Sequence, residues 1–286
     1  MYPLENYVLG GAVLFGIAAA FPASATPFFF STSTPDGKIA TLSRPASPGK
    51  LETETADDFV TTAATSITGA TFTGLIVGGA TTANVQNVEI ELYHVFPLDS
   101  LNPPSGQVPS RVNSPADNSF LAANGTLGQL SFTTKVLNAS FTAANSVANG
   151  INASPNQFTG GDGAVTGQEV QFSVTFTSPF LLGADHVYFR PEVDLGSAGD
   201  FYWLSAPKPI VAPGTPFTPD LQTWIRNDGT GKIGPDWERV GTDITHQGPF
   251  NASFTLSGTV IPEPASLGLV AAGLTGLAAL RRRRKS

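Results

Sequence analysis

Hydrophobic and polar residues alternate with a period of two through most of the chain, the pattern of strands with one face in a core and the other in water. Val88, Ile90, Leu92 and His94 alternate with Glu89, Glu91, Tyr93 and Val95. Val170, Phe172, Val174 and Phe176 alternate with Gln171, Ser173 and Thr175, and Phe254, Leu256 and Gly258 with Thr255 and Ser257. Further strands are predicted over residues 58–62, 67–75, 128–135, 187–194 and 201–205. Pro191 has no N–H to give a neighbour, which predicts an edge position for its strand. No sustained helical period precedes the C-terminal segment. The 30 glycines and 23 prolines, clustered at 102–105, 113–116 and 213–219, supply the turns. Together these features predict an all-β fold over residues 51–260: an antiparallel β-sandwich, jelly-roll-like, with sheets wet on one side.

Residues 26–50 are rich in Ser, Thr, Pro and Gly and read as a low-complexity leader. Two connections are long and Pro-rich. The first, over 96–120, reads as a surface excursion. The second, over 205–235, contains Trp224, lies between Trp203 and Trp237, and is expected to pack back on the domain.

The two ends have a different character. Residues 8–21 form an apolar run of signal-peptide length, and Ala23-Ser24-Ala25 supplies a small-x-small cleavage site. The expectation is a signal peptide over 1–25, cut after Ala25. The segment before the run has no Lys or Arg, and Glu5 stands where a cation is usual. An uncleaved membrane helix is the rival reading. At the other end, Ile261-Pro262-Glu263-Pro264-Ala265 precedes an apolar stretch over 267–280 and then Arg281, Arg282, Arg283, Arg284 and Lys285. At about 1.5 Å per residue this stretch makes a short transmembrane helix, somewhat less than a ~30 Å hydrocarbon core. The five cations act as a membrane stop that keeps the terminus cytoplasmic.

Pro262-Glu263-Pro264, the Gly/Ala/Leu-rich stretch with Gly268, Gly273 and Gly276, and the terminal Arg cluster together resemble a PEP-CTERM sorting tail. The resemblance implies an exported bacterial protein that passes through the export machinery. It implies an inner-membrane intermediate held by the C-terminal helix, then processing by an exosortase. The implied destination is the cell surface or the extracellular matrix of an exopolysaccharide-producing cell. Ala56-Asp57-Asp58-Phe59 followed by Ile67-Thr68-Gly69-Ala70 resembles the opening strand pair of uncharacterised domains that carry this tail, and it implies no activity.

Export changes how composition is read. With no cysteine, stability has to come from a packed core rather than from disulfides. Of 22 acids and 15 bases, removing Glu5, Glu263 and the five tail cations leaves 20 acids and 10 bases, a body near −10. That charge argues against nucleic acid as a partner.

Candidate chemistry is sparse. No nucleotide loop, serine-hydrolase elbow or zinc-protease motif is present. His94, His186 and His246 are scattered and read as ordinary hydrogen-bonded histidines. Acidic residues gather at Glu52, Glu54, Asp57 and Asp58 and again at Asp185, Glu192, Asp194 and Asp200. Asp57, Asp58, Asp194 and Asp200 could supply oxygen ligands to Ca²⁺, or the two groups are solvated acidic edges. Tyr202, Trp224 and Trp237 could stack on sugar rings, or they are core. Glu89 and Glu91, on one strand face, could flank a glycosidic bond, or they line a wet face. The leading expectation is non-enzymatic: a structural or adhesive matrix protein. A carbohydrate-binding module that takes exopolysaccharide stands second and a glycoside hydrolase third.

Overall fold

The computed structural model describes residues 25–32, 34–96, 108–148, 158–207, 222–227 and 236–262. Within it, Ala25–Ile261 is one compact unit. Its strands are β1 (Thr26–Ser31), β2 (Ile39–Leu42), β3 (Thr53–Thr61), β4 (Thr65–Val77), β5 (Asn87–Val95), β6 (Pro115–Asn124), β7 (Leu130–Ala143) and β8 (Asn145–Val147). They continue as β9 (Val165–Leu182), β10 (Asp185–Asp194), β11 (Asp200–Ala206), β12 (Trp224–Asn227), β13 (Glu238–Arg239), β14 (Asn251–Ala252) and β15 (Phe254–Val260). Helical structure among the described residues is limited to a short 3₁₀ turn at Thr82–Asn84 and one wide turn at Val240–Ile244. No helix among them is long and apolar enough to cross a membrane. The expected C-terminal helix over 267–280 lies outside the described residues.

Two sheets result. One has the order β13-β12-β3-β10-β5-β6. The other runs β1-β15-β4-β11-β2-β8, with β9 on the second side of β4, β7 beyond β9, and β14 on β11. All pairings are antiparallel except β2 with β8, a parallel pair that the sequence reading did not foresee.

The sheets pack face to face over the residues that the alternation marked as apolar. Phe72 and Phe172 stack with centroids 4.9 Å apart on neighbouring strands. Phe30 meets Phe59 at 5.9 Å and Phe254 meets Phe189 at 5.1 Å, each pair joining one sheet to the other. Trp203 is buried in the same core and donates its indole N–H to the Ser253 carbonyl at 2.9 Å.

Three expectations are corrected. First, the supposed leader is part of the sandwich. β1 pairs along β15 from Thr26↔Val260 to Ser31↔Thr255, and β2 lies between β11 and β8 with all four residues buried. Short β-branched and aromatic runs, Phe28 to Phe30 and Ile39 to Leu42, outweigh the polar composition around them. Second, the strand carrying Pro191 is internal, with β3 on one side and β5 on the other. The ladder with β3 ends at Phe189↔Asp57, before the proline. The Pro191 carbonyl accepts from Ser43 Oγ at 2.5 Å, away from β5. A strand residue directs N and C=O to the same side. The missing N–H therefore falls where no β3 partner would have used it.

Third, the outer face of the six-stranded sheet is not wet. Ala56, Tyr93, Tyr188, Trp224 and Trp237 form a second buried cluster there. Trp237 donates to the Ala116 carbonyl at 3.1 Å, and Arg111, buried, ion-pairs with Asp236 and with Asp117 at 2.8 Å. The described part of the connection containing Trp224 packs back as expected: β12 adds to β3 with Trp224 opposite Ala56.

Replacing Phe72 by Ala removes a ring packed on both Phe172 and Phe201. The expected loss is about 3–5 kcal/mol of unfolding free energy. It is read as a lower urea midpoint at an unchanged denaturant slope.

Candidate functional site

Strand alternation puts Glu54 of β3, Glu91 and Tyr93 of β5, Arg190 and Glu192 of β10 and Arg226 of β12 on the outer face of the six-stranded sheet. The aromatic cluster closes over them. Arg190 Nη2 donates to Glu54 and lies 3.1 Å from Glu91 Oε2 and 3.4 Å from Glu52 Oε1. Its Nη1 is 2.8 Å from Glu192 Oε2. Arg226 donates from Nε to Glu54, and its guanidinium lies 4.5 Å over the Trp237 ring and 5.3 Å over Tyr93. The Tyr93 hydroxyl donates to Glu91 and lies 3.2 Å from Glu54 Oε1. Four carboxyl groups thus share two guanidiniums in a layer that is buried at Glu54, Glu192 and Arg190 and partly open at Glu52.

Burial would raise the pKa of Glu54, but the charges of Arg190 and Arg226 outweigh it and hold the group at about 2, against an ordinary 4.5. Glu192 goes the other way. Burial pushes its pKa well up, and the charges of Glu54, Glu52 and Glu89 add to this against the pull of Arg190. Burial also pushes the Tyr93 hydroxyl up, so it remains a donor.

Among the described residues, Glu52, Glu54 and Glu192 form the one group of three whose ligand atoms lie within 4.8 Å of one another. They come from the two acidic runs seen in the sequence, brought together by the β3–β10 pairing. The four aspartates chosen for Ca²⁺ do not converge. Asp57 accepts from the Ala252 N–H at 2.8 Å, and Asp58 is 2.7 Å from His186 Nε2. Asp194 accepts from the Gly196 N–H at 2.7 Å, and Asp200 ion-pairs with Arg44 and, at 2.9 Å, with Lys50. Arg190 is what the sequence reading missed. A lone arginine two residues before a glutamate gives no signal until the pairing of three strands is known.

The sugar platform is also corrected. Stacking needs an open ring face, and Trp224 and Trp237 are fully buried, with Tyr202 half-buried at the β2–β11–β4 junction. Glu89 and Glu91 lie on one face as expected, but both are engaged within the sheet. Glu89 accepts from Asn124, and Glu91 from Tyr93 and, at 3.1 Å, from Ser119. His94 stacks on Phe120 at 3.7 Å and lies 3.0 Å from Asp185, so two of the three histidines are paired with aspartates.

The last strand of the body runs up to the Pro262-Glu263-Pro264 motif. β15 ends at Val260, and the Ile261 N–H donates to the Ala64 carbonyl at 2.7 Å. Pro262 is the last described residue. Glu263, Pro264 and the cations Arg281, Arg282, Arg283, Arg284 and Lys285 lie outside the described residues, as do the signal-peptide run and Ala23. The family model for the PEP-CTERM protein-sorting motif matches residues 260–284. The chain therefore carries the tail of exported, exosortase-sorted proteins on a β-rich body. The motif implies processing by exosortase, a membrane protein, after transient anchoring. Neither a curated protein nor a solved structure matches the chain significantly.

Two outcomes follow from the charge layer. Arg190→Met leaves Glu54 and Glu91 with too little positive charge, and the expected cost is about 3–5 kcal/mol in denaturant unfolding. The second concerns pH. Because folding depresses the Glu54 pKa, its contribution is complete above about pH 5. It is lost as pH falls through about 2, and amounts to on the order of 3 kcal/mol. Unfolding midpoints across that range should show a steep acid limb that Glu54→Gln flattens. Glu192, with a raised value, has the opposite sign, so Glu192→Gln should remove a loss of stability as pH rises above the ordinary carboxylate range.

Proposed function

We propose that the body acts without catalysis, as a structural or adhesive component of the cell surface or extracellular matrix, on a sandwich that crosses between its sheets in a jelly-roll-like way. The observation that carries this reading is the match of the sorting motif to residues 260–284, starting at the last residue of a core strand. Two further observations support it. The carboxylates that could have done acid–base work, Glu89 and Glu91, are engaged by Asn124, Tyr93 and Ser119. The large aromatics that could have shaped a cleft, Trp203, Trp224 and Trp237, are packing residues.

The test is the intact mass and cell fraction of the native protein in strains with and without the exosortase. With the enzyme, the chain should lose the segment that follows the Pro262-Glu263-Pro264 region and move from the inner membrane to the surface or matrix. Without it, the full Arg-rich tail should remain in the membrane. A full tail retained in the inner membrane in both strains would overturn the reading.

A further inference from the structure

The outer face of the nine-stranded sheet carries an ordered array of hydroxyls. The registers align Thr133, Ser173, Thr71, Thr255 and Ser31 in one row across β7, β9, β4, β15 and β1. The adjacent row is Ser131, Thr175, Gly69, Ser257 and Phe29. Directly paired residues share a sheet face, and neighbouring strands lie about 4.8 Å apart, so the rows form a lattice. The inward neighbours Phe172, Phe72, Leu256 and Phe30 are core, which fixes these ten positions outward.

Three features set the array apart from an ordinary wet face. Not one of its ten positions is charged, whereas exposed protein surfaces ordinarily mix in about 25–35% Asp, Glu, Lys and Arg. Second, the hydroxyls of Ser131, Thr133, Ser173 and Thr175 bond to no other described side chain or carbonyl, and all four residues are exposed. Thr71 and Thr255 hydroxyls touch each other at 2.5 Å, keeping the lattice in register. Third, Phe29 ends the second row with 60% of its surface open, although it neighbours a core strand.

We infer that this face is the adhesive surface of the protein and that its ligand is an uncharged polysaccharide. A hydroxyl both donates and accepts, so a row of them can pair with sugar hydroxyls in either orientation. The open Phe29 ring offers an apolar surface for a sugar ring. The body's charge near −10 disfavours a polyanion, which makes charge the criterion that selects the neutral class. The inference deepens the matrix reading and rests on it for the meeting of protein and polysaccharide.

The experiment is affinity electrophoresis of the full chain in detergent, in gels cast with neutral β-glucan, xylan or mannan, and with alginate as the polyanion. At least one neutral gel should retard the protein, and alginate should not. The double variant Thr133→Val, Ser173→Ala removes two hydroxyls without adding charge, and its affinity should fall roughly tenfold, as expected for about two lost hydrogen bonds. Phe29→Ala should weaken retention further, and unfolding midpoints confirm that the variants are folded. Retention unchanged in the double variant, no retention on any neutral gel, or stronger retention on alginate would overturn the inference. So would a concentration-dependent dimer that the same variant dissolves, since the face would then be covered by a second copy. Intact mass of the same variants reports tail processing separately, so failure of the sorting reading leaves its mark in the mass and not in the retention.

Discussion

The guanidinium of Arg190 is the constraint on which the six-stranded sheet depends. A buried cation has to be met by carboxylates, and here they come from different places: Glu54 from β3, Glu91 from β5, Glu192 from β10 itself and Glu52 from just before β3. Arg226 then fastens β12 to the same Glu54. Sliding β3 or β5 by one residue would turn Glu54 or Glu91 into the apolar core between the sheets and leave Arg190 without partners. Apolar packing alone would tolerate several registers. The charge layer makes the wrong ones expensive, at a desolvation cost that the surrounding hydrogen bonds offset. The aromatic cluster depends on this in turn, because Tyr93 and Trp237 sit under the Arg226 guanidinium.

Much of the inner core was legible in the chain, and the reason is local. Phe172 to Phe176, Val88 to Leu92 and Phe254 to Leu256 each declare a face through their own alternation, and each face is buried as read. The sorting segment was legible because its signal is a linear order of residues. The remainder depended on pairing. Glu89, Glu91 and Tyr93 alternate as a wet face would, and nothing within that strand announces that Arg190 and Trp237 will cover it. Residues 26–50 have the composition of a loose leader, yet β1 and β2 find partners more than a hundred residues away in β15 and β11. Trp224 and Trp237 could have stacked on sugar or packed in a core, the stronger of the two readings, and the pairing of β12 with β3 and β13 decides for core. Pro191 misled in the same way, since the end of a neighbouring ladder cannot be read from one strand.

Low charge content and an interior rich in charge belong to one arrangement. Among the described residues, eight carboxylates (Glu54, Asp57, Asp58, Glu169, Glu192, Asp236, Glu238 and Asp243) and two guanidiniums, Arg111 and Arg190, are buried. Charged residues make up only 13% of the chain, so directing this many inward leaves fewer for the outside. Ser and Thr replace them on the nine-stranded sheet, where they meet the demands of a strand as well as those of water, since Thr is β-branched and suits the pleat.

The two faces of the molecule therefore differ in kind. One sheet uses charge to fix its register and closes over it, while the other leaves an uncharged hydroxyl lattice open. β15 connects this second face to sorting. It supplies Thr255 and Ser257 to the two rows, pairs Val260 with Thr26, and passes through Ile261 to Pro262. Ser257 and Pro262 are five positions apart in the chain, and the first four of those residues are fixed by the β15 ladder or by the bond to Ala64. Here the strand that enters the sorting segment is also a rung of the hydroxyl lattice, so the direction in which the face points relative to the end of β15 is set by the sheet itself.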